Sequence, residues 1–219
     1  MNQQYSKYRF LLFLLKLFSK ESFGTKIYLC FRILIFPGVF LSKLPSFIQK
    51  DDRVLDLWCW YGIVSLYIQF LWLNNQVFGL DIDKKRIHNL QNIAQKFAFT
   101  NLHFQIKDFI TQWFDGLQWY DVAILVDFLH HLDCMTQNAF LTYLSHHVPT
   151  LIIKDIDTKP TYKYYWNLFH DKILMQNKIL CFQWSPHFKL LLTNLGYTVT
   201  YKKIPSIFPY PHFLLVAKK

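Results

Sequence analysis

The sequence predicts an α/β fold with a mostly parallel sheet and helices on both faces. From residue 53 onward, short apolar runs alternate with helix-length segments, which is typical of parallel strands joined by crossover helices. The last two runs follow each other with no helix between them, which predicts a C-terminal antiparallel strand pair. The chain has 219 residues and is 53% hydrophobic, enough for one α/β domain with a full core. We expect this seven-stranded domain over residues 45–219, after an N-terminal helical extension over 1–44.

The first half of the domain reads as three strands with a helix between each pair of consecutive strands. "RVLDL" (53–57) and "QVFGLD" (76–81) are short apolar runs, and "LHFQIKD" (102–108) alternates with a period of two. Between them, apolar side chains recur every three or four residues over 84–97, which predicts an amphipathic helix. A shorter helix is expected over 63–71.

The second half begins with "YDVAILVD" (120–127), which is apolar on both faces and is therefore expected at the centre of the sheet. "TLIIKD" is the next strand. A helix that ends at Gly196 precedes the two C-terminal strands. The remaining segments of this half are a helix over 135–146, a strand over 150–155, a helix over 186–195, and strands over 197–204 and 212–219.

The N-terminal extension contains two apolar segments, 8–20 and 27–44. Lys16 interrupts the first, and Arg32 and Pro37 interrupt the second, so neither reaches the ~20 apolar residues that span a bilayer. Two interpretations remain open. The segments cap the domain, or residues 7–20 lie on an anionic membrane surface with their basic side chains at the headgroups. The second places a cytoplasmic protein peripherally on the inner face of the membrane.

The formal net charge of +10 makes nucleic acid a partner to consider, but the excess of lysine over arginine argues against it. Only four of the 24 basic residues are arginine, whose planar guanidinium hydrogen-bonds phosphates and guanine edges. Abundant lysine beside scarce glycine and alanine is typical of a gene of low G+C content. Nucleic acid is therefore not the expected partner. The sequence does not indicate an oligomeric state.

The four cysteines are scattered, with no CxxC pair and no histidine at metal-ligand spacing. This pattern predicts free thiols in a reducing compartment, with neither a disulfide framework nor a metal site.

Five aspartates end predicted strands, and parallel sheets bind ligands beyond the carboxyl ends of their strands. A lone strand-end aspartate more commonly caps a helix. Several in succession favour a cofactor site. The motif "DLWCWYG" follows the first strand, and it fits no GxGxxG nucleotide fingerprint. The five are Asp56, Asp81, Asp108, Asp127 and Asp155.

Over residues 45–219, this register of acids resembles the class I S-adenosylmethionine-dependent methyltransferases, which have a Rossmann-like fold. The resemblance implies S-adenosylmethionine as cofactor, with Asp81 on the ribose and Asp108 on the adenine. It implies methyl transfer to a small, hydrophobic or lipid-like acceptor, and places His131, beside His130, near the methyl group as a candidate general base. The cofactor contacts that it implies are Asp56, Trp58, Trp60, Gly62, Asp81, Ile82, Asp108, Phe109 and Asp127.

In that family, glycines occupy the positions where this chain has Trp58 and Trp60. Glycine lets the backbone approach the cofactor, and a bulky residue at positive φ costs roughly 1–2 kcal/mol. Three interpretations follow. The chain is a degenerate methyltransferase acting as a non-catalytic binding module, it binds another ligand against the indoles, or its UGA codons encode glycine and were translated as tryptophan.

Overall fold

The computed structural model describes residues 6–35, 38–71, 73–108, 119–159, 162, 165, 181–205 and 211–219. Its seven strands form a mixed, mostly parallel sheet, surrounded by helices. The predicted fold class is therefore confirmed. The chain divides into two compact units, Met1–Asp108 and Phe109–Lys219. The predicted division at residues 44 and 45 stays a prediction.

The N-terminal unit contains a helical segment followed by three parallel strands. β1 pairs with β2, and β2 pairs with β3, all in parallel. Four of the five β1 residues are buried, as expected for a strand with covered faces. The elements are α1 (Lys7–Leu17), α2 (Phe23–Ile35), α3 (Gly38–Lys43), β1 (Arg53–Leu57), α4 (Ile63–Phe70), β2 (Gln76–Asp81), α5 (Lys84–Lys96) and β3 (Leu102–Ile106).

Helix α1 docks on α4 through an aromatic cluster. The ring of Phe10 lies edge-on to Tyr67 with centroids 5.0 Å apart, and Phe70 lies 5.4 Å from it. Phe10 and Leu14 are fully buried. This packing favours the cap interpretation for α1. Membrane contact through residues 7–20 stays a prediction.

The C-terminal unit contains the other four strands. β4 pairs in parallel with β5, and β7 lies antiparallel between β5 and β6, which confirms the C-terminal antiparallel pair. All five β4 residues are buried, as its sequence predicted. The elements are β4 (Val122–Val126), α6 (Cys134–His147), β5 (Thr150–Ile156), α7 (Ser185–Asn194), β6 (Thr198–Ile204) and β7 (His212–Lys218).

Among the described residues, no single helix is long and apolar enough to cross a membrane. The segments Phe23–Leu34 and Gly38–Ser46 together meet that test of length and composition, with a bend of 72° between them.

Candidate active site

The loop after β1 has a glycine-type backbone at alternate positions. The φ angles are +61° at Trp58, +53° at Trp60 and +65° at Gly62. At Gly62, a Cβ atom would lie 2.8 Å from Leu90, so both conformation and space require glycine there. The two tryptophans occupy the same left-handed region, at roughly 1–2 kcal/mol each. Residues 58, 60 and 62 thus all have a backbone conformation that favours glycine, but two of the three are tryptophan.

Asp81 ends β2 beside this loop and is fully buried. The N–H of Trp60 donates to its Oδ2 at 2.9 Å, and the N–H of Asp83 donates to its Oδ1 at 2.9 Å. Arg86, in the first turn of α5, places Nη1 3.7 Å from Oδ1. The carboxylate expected to hold a ribose is therefore bonded by the chain itself.

The Trp60 indole lies in a stack that also contains Arg86. Tyr28 of α2 stacks on Trp60 with centroids 6.1 Å apart and planes 15° apart. The guanidinium carbon of Arg86 lies 4.1 Å from the indole centroid, within cation–π range. Arg86 Nε also lies 3.4 Å from Asp83. We call Tyr28, Trp60 and Arg86 the indole stack. It covers the loop next to Asp81.

Asp56, inside β1, is buried and fixed by the start of α4. Its Oδ2 accepts the backbone N–H of Ser65 at 3.1 Å and the Ser65 hydroxyl at 2.6 Å. Burial raises the pKa of Asp56 to about 7, although the two Ser65 bonds lower it, and the charge of Asp81 adds to the rise. The carboxyl therefore changes protonation near neutral pH.

Cys59 lies between the two tryptophans and is buried. Burial, followed by the negative charges of Asp56 and Asp81, raises the pKa of its thiol well above the ordinary value. A protonated, buried thiol packs as a small apolar side chain and is a poor nucleophile.

The remaining predicted contacts in the N-terminal unit surround the same strand ends. Ile82 follows Asp81 and is 46% exposed, as a side chain that packs on a ligand would be. Asp108 follows β3 and is half-buried. Phe109 lies outside the described residues. This unit brings Asp56, Trp58, Trp60, Gly62 and Asp81 together around one loop, and cofactor contact by any of them stays a prediction.

In the C-terminal unit, Asp127 follows β4 with φ at +51°. The fully buried Lys154 of β5 places Nζ 2.5 Å from its Oδ1, and His212 Nδ1 lies 3.7 Å from the same oxygen. The family resemblance implied a cofactor contact for Asp127, and the sequence did not indicate these two neighbours. A buried lysine needs such a counter-ion, so Asp127 neutralises Lys154 in this unit.

His130, next to the predicted base His131, has a buried carboxylate partner. Its Nδ1 lies 2.5 Å from Asp155 Oδ1, and the Leu129 N–H donates to Oδ2. Burial raises the pKa of Asp155, but the charge and hydrogen bond of His130 and the Ile156 N–H outweigh it, so the pKa lies below the ordinary value. The His131 ring lies 4.1 Å from that of His130. A carboxylate that fixes one imidazole nitrogen leaves the other as the base, which favours His130 over His131.

The prediction of four free cysteines is wrong. Cys134 and Cys181 form a disulfide with Cα atoms 5.5 Å apart, 47 residues apart in sequence. Two hydrogen bonds hold Cys181 beside Cys134. Gln137 Nε2 donates to the carbonyl of Cys181, and the Cys181 N–H donates to the backbone carbonyl of His130. Sequence spacing carries no signal for such a pair. In the described ranges, no cluster of three histidine, cysteine or acidic side chains could hold a metal.

Arg86 and Ser65 were not predicted. Arg86 is the third residue of α5, one turn after the cap residue Asp83, and its side chain returns toward the strand end. Ser65 occupies the equivalent place in α4. The available signal was their position, since the third residue of a helix that follows a parallel strand lies near that strand's carboxyl end.

No family model and no curated protein matches this sequence. Solved structures do match it. Magnesium protoporphyrin IX methyltransferase from Synechocystis PCC 6803 with bound SAH is 18% identical at a TM-score of 0.63, over 83% of this chain and 80% of that chain.

Two further structures match at similar scores. A SAM-dependent methyltransferase from Archaeoglobus fulgidus is 18% identical with a TM-score of 0.61, over 83% of this chain and 92% of that chain. An O-methyltransferase family protein from Burkholderia thailandensis is 14% identical with a TM-score of 0.62, over 82% and 57%. The chain therefore has the fold of the SAM-dependent methyltransferases.

Proposed function

We propose that this protein is an S-adenosylmethionine-dependent methyltransferase of class I. The observation that carries the proposal is the glycine-type backbone at residues 58, 60 and 62, between Asp56 and Asp81. Positive φ at two tryptophans costs backbone strain, and strain of this kind clusters at binding and catalytic sites. Strand-end carboxylates beside such a loop suit a ligand with hydroxyl and amino groups. The solved structures of this fold with bound SAM or SAH support the same cofactor.

The backbone conformation of residues 58–62 suits this cofactor, but the side chains of Trp58 and Trp60 do not. Asp81 is the expected ribose acceptor, yet it is fully buried beside the indole stack. The indole of Trp60 belongs to the loop beside Asp81 and is held there by Arg86. We therefore infer that the tryptophans close the cofactor site, and that opening it requires smaller residues at 58 and 60.

Calorimetry with S-adenosylmethionine tests the proposal. The Trp58→Gly, Trp60→Gly double variant should bind the cofactor, and adding Asp81→Asn should remove much of that binding. Asp51→Asn, at an exposed residue, is the matched control and should leave binding unchanged. A folded double variant that gives no heat at millimolar cofactor would refute the assignment.

The acceptor proposed is small and hydrophobic or lipid-like. The apolar residues exposed on the N-terminal helices support it, since they would meet such an acceptor or the surface that contains it. Transfer of a labelled methyl group from S-adenosylmethionine into a lipid extract tests this class. Label appearing only in water-soluble products would contradict it.

A second candidate function is a non-catalytic binding module, and the indole stack favours it. Contacts of the Trp60 indole with Tyr28 and with Arg86 stabilise the present conformation of the loop. On this hypothesis the printed sequence folds stably and shows no thermal shift with S-adenosylmethionine. Saturable stabilisation by that cofactor would rule the hypothesis out. The codons at positions 58 and 60 separate it from the third interpretation, since UGA at both, in an organism that reads UGA as glycine, restores an open loop.

A location in the cytoplasm, peripheral to the inner face of the membrane, is part of this proposal. Cytosolic thiols keep most cysteines reduced, so in that compartment the bond between Cys134 and Cys181 should be open. Thiol labelling of the protein in intact cells tests the location. Full protection of both cysteines would place the protein in an oxidising compartment.

A further inference from the structure

Helix α2 has an apolar face that points away from its own unit. Leu29 and Ile33 are buried on its inner side. On the other side, four large apolar side chains recur at helical spacing and are half exposed or more. They are Phe23 at 78%, Ile27 at 53%, Phe31 at 50% and Leu34 at 61%. We call these four residues the α2 outer face. A stripe of this kind on a helix marks an interaction surface.

Two lysine hydrogen bonds fix the orientation of this face. Lys7 Nζ donates to the carbonyl of Leu34 at 2.8 Å, and Lys26 Nζ donates to the carbonyl of Ser19 at 2.7 Å. The bonds attach α1 and its C-terminal turn to both ends of α2. Because the inner side of α2 is packed, the outer face is held outward and cannot turn into the core.

The N-terminal segment that contains this face is strongly basic in composition. Residues 1–50 contain eight lysines and arginines and a single acid, Glu21. On α1 and the turn after it, Arg9, Lys16 and Lys20 are exposed. A partner for this region therefore has an apolar interior and a negatively charged surface.

We propose that the α2 outer face docks on an anionic lipid bilayer, with the α2 axis in the plane of the interface. Phenylalanine, isoleucine and leucine enter the headgroup and acyl boundary, and exposed basic residues contact anionic headgroups. A second copy of the chain is disfavoured as the occupant because it would bring two basic surfaces together. The surface differs from residues 7–20, whose main apolar side chains are buried. The inference does not depend on methyl transfer.

Sedimentation of the full chain with vesicles tests the docking. The protein should pellet with phosphatidylcholine vesicles that contain phosphatidylglycerol and remain in the supernatant with phosphatidylcholine alone. Phe23→Ser with Phe31→Ser should weaken partitioning at least tenfold. Both side chains are exposed, so folding should be unaffected. Met135→Ser with Leu190→Ser, exposed apolar residues of the other unit at 84% and 63%, is the matched control and should partition like the wild type.

Three results would overturn the proposal. One is equal partitioning of the wild type and the Phe23, Phe31 variant. Another is a wild-type dimer in light scattering that the same variant converts to monomer, since the face would then bind a second copy. The third is bound protein that resists alkaline carbonate extraction, since α2 with α3 would then insert as a bent span. Replacing Arg9, Lys16 and Lys20 by Gln should remove the preference for anionic vesicles, and a preference left intact would equally contradict it.

Discussion

The backbone N–H of Trp60 donates to Asp81 across 2.9 Å, so the main chain of residue 60, and not its indole, holds the carboxylate. Any residue at 60 that keeps the loop conformation keeps this bond. The side chain at 60 therefore decides access to Asp81, while the backbone decides the position of Asp81.

Replacing Trp60 by Gly and by Ala separates backbone strain from loss of the indole. Both variants lose the indole stack, but only Ala retains a Cβ at a φ of +53°. We expect Trp60→Gly to be more stable than Trp60→Ala by about 1 kcal/mol in urea unfolding. The same order is expected at Trp58. Trp119, which is exposed and has no positive φ, is the control, and there Ala should be at least as stable as Gly. Equal stability of the two variants at 60 would show that the loop relaxes away from the glycine conformation.

Asp56 makes stability depend on pH because burial raises its pKa to about 7 from an ordinary value of 3.8. Between these values the folded chain binds the proton more tightly than the unfolded chain, so the free energy of unfolding falls as pH rises and levels off above about 7. Asp56→Asn removes the buried charge. We expect it to flatten this dependence and to gain about 2 kcal/mol at about pH 8, once the cost of a buried amide is included. If the free energy of unfolding of Asp56→Asn had the same slope against pH as that of the wild type between about pH 4 and 7, folding would not raise the pKa of Asp56.

Breaking the pair of Asp155 and His130 should be costly because both are buried. Asp155→Asn leaves the buried imidazole without its carboxylate partner, and we expect a loss of about 3 kcal/mol at about pH 6 in chemical unfolding. Since the folded pKa of Asp155 is lowered, its stabilising effect is present above the ordinary value of 3.8 and disappears as pH falls through the folded pKa. The difference between wild type and variant should therefore narrow below about pH 4. A difference that is constant with pH would assign the loss to packing.

The disulfide of Cys134 and Cys181 closes a long loop. Loop-closure entropy for a separation of 47 residues corresponds to about 4 kcal/mol of stabilisation. Dithiothreitol should lower the Tm of the wild type to that of Cys134→Ser and leave the Tm of Cys134→Ser unchanged. Cys30→Ser, which alters a free cysteine, should respond to dithiothreitol like the wild type. A wild-type Tm that is insensitive to dithiothreitol would contradict this stabilising role.

The fold could be predicted because each of its elements has a local cause. Strand β4 is apolar on both faces and is buried throughout, and α5 begins after Asp83, whose side chain accepts the N–H of Arg86. The loop could also be predicted, since the spacing of residues 58, 60 and 62 matches three positive φ angles. Periodicity and turn chemistry act over a few residues, so a sequence displays them directly.

The contacts made by long or distant side chains could not be predicted. Arg86 reaches back from α5 to Trp60, and Lys154 pairs with Asp127 on a neighbouring strand. Cys181 bonds to Cys134 although 47 residues separate them in sequence. These pairs depend on which strands are adjacent and on where a flexible side chain ends, and neither is visible in local spacing.

Titration of S-adenosylmethionine into the Trp58→Gly, Trp60→Gly variant beside the unaltered chain tests directly whether the loop is a cofactor site. We expect saturable binding to the variant and much weaker binding to the unaltered chain, because the indole stack closes the loop that the backbone shapes for a cofactor. Equal binding to both would show that the tryptophans do not close the site. Absence of binding to a folded variant would show that the loop beside Asp56 and Asp81 does not hold this cofactor.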